Sequence, residues 1–351
     1  MQMALEDEDD EQQQQQTKRF KMSHSSETSE DPQSVSTLLP EIVVEILSRL
    51  PVESLLRCRS VCKLWRSLIS DPHFIKSHLS LSTNNKHYAH HRLIFSTVPR
   101  INLKSCPLYD VLYDKSVNAL ELDYPLKHPL KSVWIVGSCN GLLCIAIEED
   151  TLFIWNPSTR RSNRLPYCGF KVRSGWYVLY GFGYDESTDD YKVVGISCVF
   201  KNGAKYDTKV KIYSLKSGNW KKIGDFPHGI PLDDSGDKDL ALGSLVDGLC
   251  VLCNYRGNHA DVWLMKVYGV KDSWTRLVSI PYVTDPGRDQ FSVPLCISND
   301  GKVLLQFGSK LVLYDIKNGS SSEIQNFDEC LEAYTIVESM VSPDAPIRHW
   351  R

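Results

Sequence analysis

Leu152-Phe153-Ile154-Trp155-Asn156-Pro157-Ser158-Thr159-Arg160 reads as an apolar strand, an aromatic residue and a turn, and the phrase returns along the chain. Val210-Lys211-Ile212-Tyr213-Ser214-Leu215-Lys216-Ser217-Gly218 repeats it, as does Leu311-Val312-Leu313-Tyr314-Asp315-Ile316-Lys317-Asn318-Gly319. Asp261-Val262-Trp263-Leu264-Met265 is a looser copy. A more apolar run precedes each copy: Gly141 to Ile145, Lys192 to Ile196, Gly248 to Leu252 and Lys302 to Leu305. A segment ending in Leu165, Ile223, Leu277 or Ile324 follows each. With Trp155, Tyr213, Met265 and Tyr314 as anchors, the copies lie roughly 50 to 60 residues apart, in the range of four-stranded propeller blades. Beyond Lys86 the hydrophobic period is near 2, with Gly, Pro, Asn and Asp as punctuation, which predicts an all-β domain without a helix-length amphipathic segment. The more apolar strand of each repeat is expected to face the central axis. A plain β-sandwich is the alternative.

Upstream the period is helical from Leu38 to about Ser82. Ile42, Ile46, Leu47 and Leu50 form one stripe, Pro40 suits a first turn and Pro51 stops the helix. A second helix is predicted over Val52 to Arg59 with Leu55 and Leu56 inward. A third, over Val61 to Ser70, places Val61, Trp65, Leu68 and Ile69 on one face and ends at Asp71-Pro72. Residues 1–37 carry Gln12 to Gln16, a Ser/Thr/Glu/Asp/Pro stretch and few apolar side chains, and are expected to be disordered. Lys18-Arg19-Phe20-Lys21 reads as a solvated charge run rather than an import signal. The expected fold class is α+β multidomain, with a tail at 1–37, a small three-helix unit at 38–82, an all-β propeller-like domain at 83–342 and a C-terminal tail at 343–351.

The formal net charge of −3 lends no support to a nucleic-acid or membrane-surface binder. No apolar run approaches the roughly 18 residues of a membrane span. Met1 to Asp10 are acid-rich and unlike a secretory leader, so the 11 cysteines are expected to be reduced thiols of a cytoplasmic and/or nuclear protein.

The segment Leu39-Pro40-Glu41-Ile42-Val43-Val44-Glu45-Ile46-Leu47-Ser48-Arg49-Leu50-Pro51, continuing through Val61-Cys62-Lys63-Leu64-Trp65 to Asp71-Pro72-His73-Phe74, strongly resembles an F-box. A unit of about 45 residues buries too little surface to be stable alone, so part of its apolar face must be covered by something else. The resemblance implies that a Skp-type adaptor covers it and links it to a cullin. It marks Leu39, Pro40, Ile46, Leu50, Leu55, Val61, Cys62 and Trp65 as adaptor-facing or interface-supporting. Periodicity alone leaves open whether Ile46, Leu55 and Trp65 are instead internal core.

The β-rich part resembles the F-box-associated, kelch-like domain of plant F-box proteins. Val136-Gly137-Ser138-Cys139-Asn140-Gly141-Leu142-Leu143-Cys144, Trp155-Asn156-Pro157-Ser158-Thr159-Arg160, Tyr180-Gly181-Phe182-Gly183-Tyr184-Asp185 with Asp190-Tyr191-Lys192-Val193-Val194, and Asp261-Val262-Trp263-Leu264-Met265 with Tyr268 to Trp274 carry the likeness. The family pattern has a further strand unit between the segments ending near Ile223 and starting near Leu240, where this chain has only Gly224 to Asp239. That shortfall predicts a propeller lacking part of a blade, with exposed edges near Val210 to Tyr213 and Gly248 to Leu252. Asn140-Gly141 and Asn156 to Thr159 read as turn chemistry.

Signals of catalysis are weak. Cys250 and Cys253 have zinc-like spacing without a second pair, on opposite faces of a strand. His87, His90 and His91 cluster in an apparently polar linker without a nearby carboxylate or cysteine. No nucleophile elbow, phosphate loop or zinc-protease signature is present, and no cofactor is expected. The resemblance therefore implies a non-catalytic substrate-recognition subunit of an SCF-type ubiquitin ligase. The alternatives are an F-box scaffold or decoy without ligase output, and a glycan-binding or kelch-like propeller. The stretches Cys168 to Tyr177, Phe200 to Thr208 and Tyr282 to Phe291 are the candidate surface for an unknown protein substrate.

Overall fold

The computed structural model describes residues 39–114, 117–148, 150–170, 176–199, 209–225, 238–245, 248–255, 258–267, 270–282, 294–325, 327 and 329–344. The expected disorder of 1–37 falls outside them. The chain divides into two units, residues 1–43 and residues 44–351.

In the first unit, the Leu39 carbonyl accepts from the amides of Ile42 (2.9 Å) and Val43 (3.1 Å), opening helix α1, Pro40–Ser48. Pro40 occupies the first helical position, where a missing amide proton costs nothing.

In the second unit follow α2 (Val52–Cys58), α3 (Lys63–Ile69) and α4 (Pro72–Thr83). The helical segment thus holds four helices among the described residues, one more than the periodicity predicts. Asp71-Pro72 is a start as well as a stop. The Asp71 carboxylate accepts from the amides of His73 (2.8 Å) and Phe74 (3.1 Å), and proline takes the next position. Leu47, Val52, Leu55, Ile69 and Phe74 are buried.

The strands are β1 (His91–Thr97), β2 (Leu103–Pro107), β3 (Leu120–Glu121), β4 (Val133–Cys139), β5 (Leu142–Ile147), β6 (Thr151–Asn156), β7 (Arg161–Arg164), β8 (Trp176–Asp185), β9 (Asp190–Val199) and β10 (Lys209–Ser214). They continue as β11 (Asn219–Asp225), β12 (Lys238–Leu245), β13 (Gly248–Tyr255), β14 (His259–Met265), β15 (Trp274–Pro281), β16 (Cys296–Ile297), β17 (Lys302–Phe307), β18 (Lys310–Asp315), β19 (Ser320–Glu323) and β20 (Cys330–Val337). A six-residue helix, α5 (Leu108–Tyr113), interrupts them, where the sequence pattern shows no helix. Among the described residues the strands form five four-stranded sheets, four of them consecutive: β4 to β7, β8 to β11, β12 to β15 and β16 to β19. The fifth joins the two ends of the β region in the order β20-β1-β2-β3, with Leu93 opposite Thr335 and Ile94 opposite Tyr334. This is an all-β, five-bladed propeller region. Apolar clusters tie sheet to sheet: Leu93 and Phe95 pack with Leu304 and Leu311, Ile94 and Leu103 with Ile145 and Trp155, and Cys250 and Val262 with Val303 and Tyr314.

Two expectations are corrected here. The most apolar strand is not the axial one. β4 packs against both β8 and β20, so in these three sheets the inner strand is β4, β8 or β20. β5, buried along its whole length, comes second and has both faces covered by neighbouring sheets, which is why it is the most apolar. Nor do the strands flanking the short segment have open edges. β10 pairs with β9 and β11, and β13 with β12 and β14. Strand β11 reaches Asp225 and β12 begins at Lys238, so both ends of the presumed loop are sheet; residues 226–237 lie outside the described ones.

The repeated phrase has a shared stereochemistry. Asn156 Oδ1 accepts from the amides of Ser158 (2.9 Å) and Thr159 (3.1 Å), and Asp315 Oδ1 from Lys317 (2.8 Å) and Asn318 (3.1 Å). Ser214 Oγ accepts from the Ser217 amide at 3.2 Å. Four residues after each of these side chains the backbone is left-handed: Arg160 at φ 57°, Gly218 at 69° and Gly319 at 63°. Arginine is the costly member of that set. Arg160→Gly is expected to raise stability by about 0.5 kcal/mol, the relieved strain exceeding glycine's extra freedom in the unfolded chain. A lowered urea midpoint would contradict it.

Candidate functional site

Two surfaces offer themselves, one on the helices and one between inner strands of the propeller. Exposed apolar side chains need a reason when they gather on a small unit. In the second unit Val61 is 65% and Leu64 67% exposed, and Val44 and Ile46 are exposed as well. Val61 and Leu64 bracket the start of α3, where Cys62 caps the helix by accepting from the Trp65 amide at 3.4 Å. In the first unit Leu39, Pro40 and Ile42 are exposed.

The predicted positions therefore divide. Leu39, Pro40, Ile46, Val61 and Cys62 present surface, and Leu50 and Trp65 are half-buried. Leu55, at 0% exposure, belongs to the core of the helices, the alternative that periodicity left open for it, and could only support an interface. Ile46, on the apolar stripe of α1, stays out of that core. Ile42, Val44 and Leu64 were not among the predicted site residues. The i, i+3 spacing of Val61 and Leu64 was the available signal.

The helices join the propeller through α4. Lys76 Nζ lies 3.2 Å from Asp189 in the β8–β9 turn, and α4 packs against β20. The Glu338 amide, just past β20, donates to the His90 carbonyl at 2.7 Å. His90 and His91 were read as part of a polar linker; in the structure His90 is buried and His91 begins β1. The His78 ring on α4 stands edge-on to His90 at 5.9 Å, and its Nε2 faces the Leu50 carbonyl at 2.9 Å. The Nδ1 atoms of His78, His90 and His91 are buried without hydrogen-bond partners. Burial holds all three imidazoles below their ordinary pKa, and His78 lowers His90 further. A depressed folded-state pKa stabilises the fold above about pH 6.5 and is lost as the pH falls. Nearby Glu338, paired with Arg92 at 3.7 Å and close to Glu53, has its pKa raised by burial and opposes this. A His78→Asn, His90→Gln chain is expected to lose less stability than the unchanged one between about pH 7 and 5. Equal slopes in urea titrations would refute a role for the pair.

Among the cysteines, burial pushes Cys250 up to about 11 and Cys106, Cys296 and Cys330 up to about 12. These four thiols are packing groups rather than nucleophiles at neutral pH. Cys250 packs in the core, and Cys253 lies on the opposite face of β13.

The second surface is a cavity of about 410 Å³ at the ends of the inner strands, lined by Trp134, Glu148, Leu179, Tyr180, Glu332 and Tyr334 among others. Of the candidate substrate stretches, only ends and flanking strands are described. Val199 pairs with Trp176 at the start of β8, so the strand ends flanking 200–208 lie there. Residues 171–175, 200–208 and 283–291 themselves lie outside the described ones.

Known families match both regions. The family described as F-box-like matches residues 38–82, and the F-box associated beta propeller domain matches residues 97–242. An F-box/kelch-repeat protein of Arabidopsis thaliana is 32% identical over 372 residues, covering 91% of this chain and 99% of the relative. The chain belongs to the F-box protein family. The F-box protein CPR1 of the same plant is 28% identical over 382 residues, covering 88% of this chain and 89% of its own. In this F-box protein the helical unit is the part whose kind generally binds a Skp-type adaptor, and F-box proteins are generally non-catalytic adaptors.

Proposed function

We propose that this F-box protein is the substrate-recognition subunit of an SCF-type ubiquitin ligase, docking a Skp-type adaptor and, through it, a cullin, while its propeller receives the protein to be ubiquitinated. The observation that carries the reading is the pair of exposed apolar side chains, Val61 and Leu64, beside the buried core of the helices. Surface of that kind is stable in solution chiefly as an interface. The protein itself supplies no chemistry; holding a substrate beside a charged conjugating enzyme raises the effective concentration of the reacting lysine. It works in the cytoplasm, the nucleus or both.

The test is affinity capture of the tagged full chain from plant cells with the proteasome inhibited. Adaptor, cullin and at least one ubiquitinated protein are expected together. Adaptor without cullin would identify a scaffold or decoy, and capture of neither would remove the reading.

A further inference from the structure

The cavity between β4, β5, β8 and β20 has a composition that selects its occupant. Trp134, Tyr180 and Tyr334 contribute three aromatic residues, and Glu148 and Glu332 two carboxylates; among the described residues no Lys, Arg or His lines it. Glu332 Oε1 accepts from the Ile135 amide at 2.9 Å and from Ser96 at 3.3 Å. Its Oε2 lies 3.4 Å from Arg100, whose guanidinium stands 5.6 Å from the Trp134 ring centroid. The chain's own guanidinium already rests between an aromatic face and this carboxylate, from outside the lining. Glu148 accepts from the Ser132 amide at 3.0 Å and has no cationic partner among the described residues, which leaves the wall with a surplus negative charge. Burial raises the Glu332 pKa despite Arg100, the mark of a carboxylate short of solvation. Exposed Leu179 offers apolar surface for a long side-chain stem, and a Cβ placed on Gly181 or Gly183 farther along β8 would meet nothing within 4 Å.

From these observations we infer that the cavity receives a basic side chain, arginine or lysine, displayed by the substrate protein, stacked on the aromatic faces and paired with the carboxylates. The inference deepens the ligase reading and rests on it. Position supports it too. The cavity lies where β4, β8 and β20 begin, whereas α4 meets the propeller where β8 and β20 end. From Leu179 to Asp185 the strand rises about 20 Å, so a basic ligand enters at the end away from α4.

The test uses the full chain labelled with 5-fluorotryptophan, adaptor capture being measured separately, and the Trp134 resonance is assigned by its loss in Trp134→Phe. N-acetyl-arginine and N-acetyl-lysine methylamides are titrated, with the citrulline and glutamate methylamides as controls. A saturable shift of the Trp134 signal is expected with a basic amide, at least about tenfold weaker with citrulline and missing with glutamate. Glu148→Gln, which keeps the acceptor for the Ser132 amide, and Glu332→Gln are each expected to weaken the basic amide about fivefold. The tighter of the two basic amides names the side chain. Equal binding of citrulline and arginine, preference for glutamate, or no saturable shift up to roughly 100 mM of either basic amide would overturn the inference. Adaptor capture by both Gln variants is expected to match that of the unchanged chain. Lost capture by the unchanged chain would sink the ligase reading while leaving the pocket result intact.

Discussion

A chain carrying Asn156→Asp is expected to lose about 3–5 kcal/mol of stability and to melt roughly 10 °C lower. Asn156 is fully buried, at 0% exposure, yet every polar atom of its side chain is used. Its amide nitrogen donates to the carbonyls of Ser339 (3.0 Å) and Val341 (2.7 Å), while its oxygen holds the turn after β6. Aspartate has the same shape but sets a second acceptor against two carbonyls, leaving either a buried charge or a proton taken up at a cost. The same segment is gripped from the other side, where Ser339 Oγ donates to the Asn140 carbonyl at 2.9 Å. Gly141 beside it has φ +79°, and a Cβ there would lie 2.6 Å from the Val337 carbonyl, so no other residue fits the approach. Thermal melts and the rate of cleavage after Glu338 by a glutamate-specific protease are the readouts; a melting point unchanged within about 2 °C would show that this clasp is dispensable.

The second large effect concerns docking. Val61→Asp with Leu64→Asp is expected to weaken adaptor capture by roughly a hundredfold or more, because each places a charge where an apolar contact must be desolvated. Since both side chains face solvent in the free chain, stability is expected to change by no more than about 0.5 kcal/mol. Leu55→Ala provides the contrast. Leu55 touches only the core, so that variant is expected to cost about 2–4 kcal/mol and to lose capture through unfolding. Capture of adaptor at unchanged strength by the double aspartate chain would move the docking surface away from the start of α3.

Four sheets were legible from the repeated phrase, and in three of them a side-chain oxygen (Asn156, Ser214 or Asp315) closes the turn after the third strand with a left-handed residue behind it; the β14 copy was legible from its strand alone. The fifth sheet was hidden for a topological reason. Its strands come from both ends of the β region, and Leu103-Lys104-Ser105-Cys106-Pro107, in the third-strand place, runs into α5 instead of that turn. The axial assignment failed because hydrophobicity reports how many faces of a strand are covered, and β5 has two. On the helices, Leu55 and Ile46 look alike in a periodicity plot, yet one is core and the other surface. The propeller cavity had no sequence signal, since Trp134, Tyr180 and Tyr334 come from three different sheets.

The pairing of β20 with β1 also sets a timetable for synthesis. Cys330 emerges from the ribosome well after His91, roughly 10 to 50 s later at ordinary elongation rates. For that interval β1 has no β20 to cover its edge, and an uncovered edge is a template for pairing with other chains. The helices through Thr83 are complete long before. A translation product that ends between residues 83 and 330 keeps every docking helix and loses the strand that closes the ring. On the function proposed above, such fragments would occupy adaptor without holding a substrate, so their rapid removal by the cell would protect the ligase from its own unfinished copies.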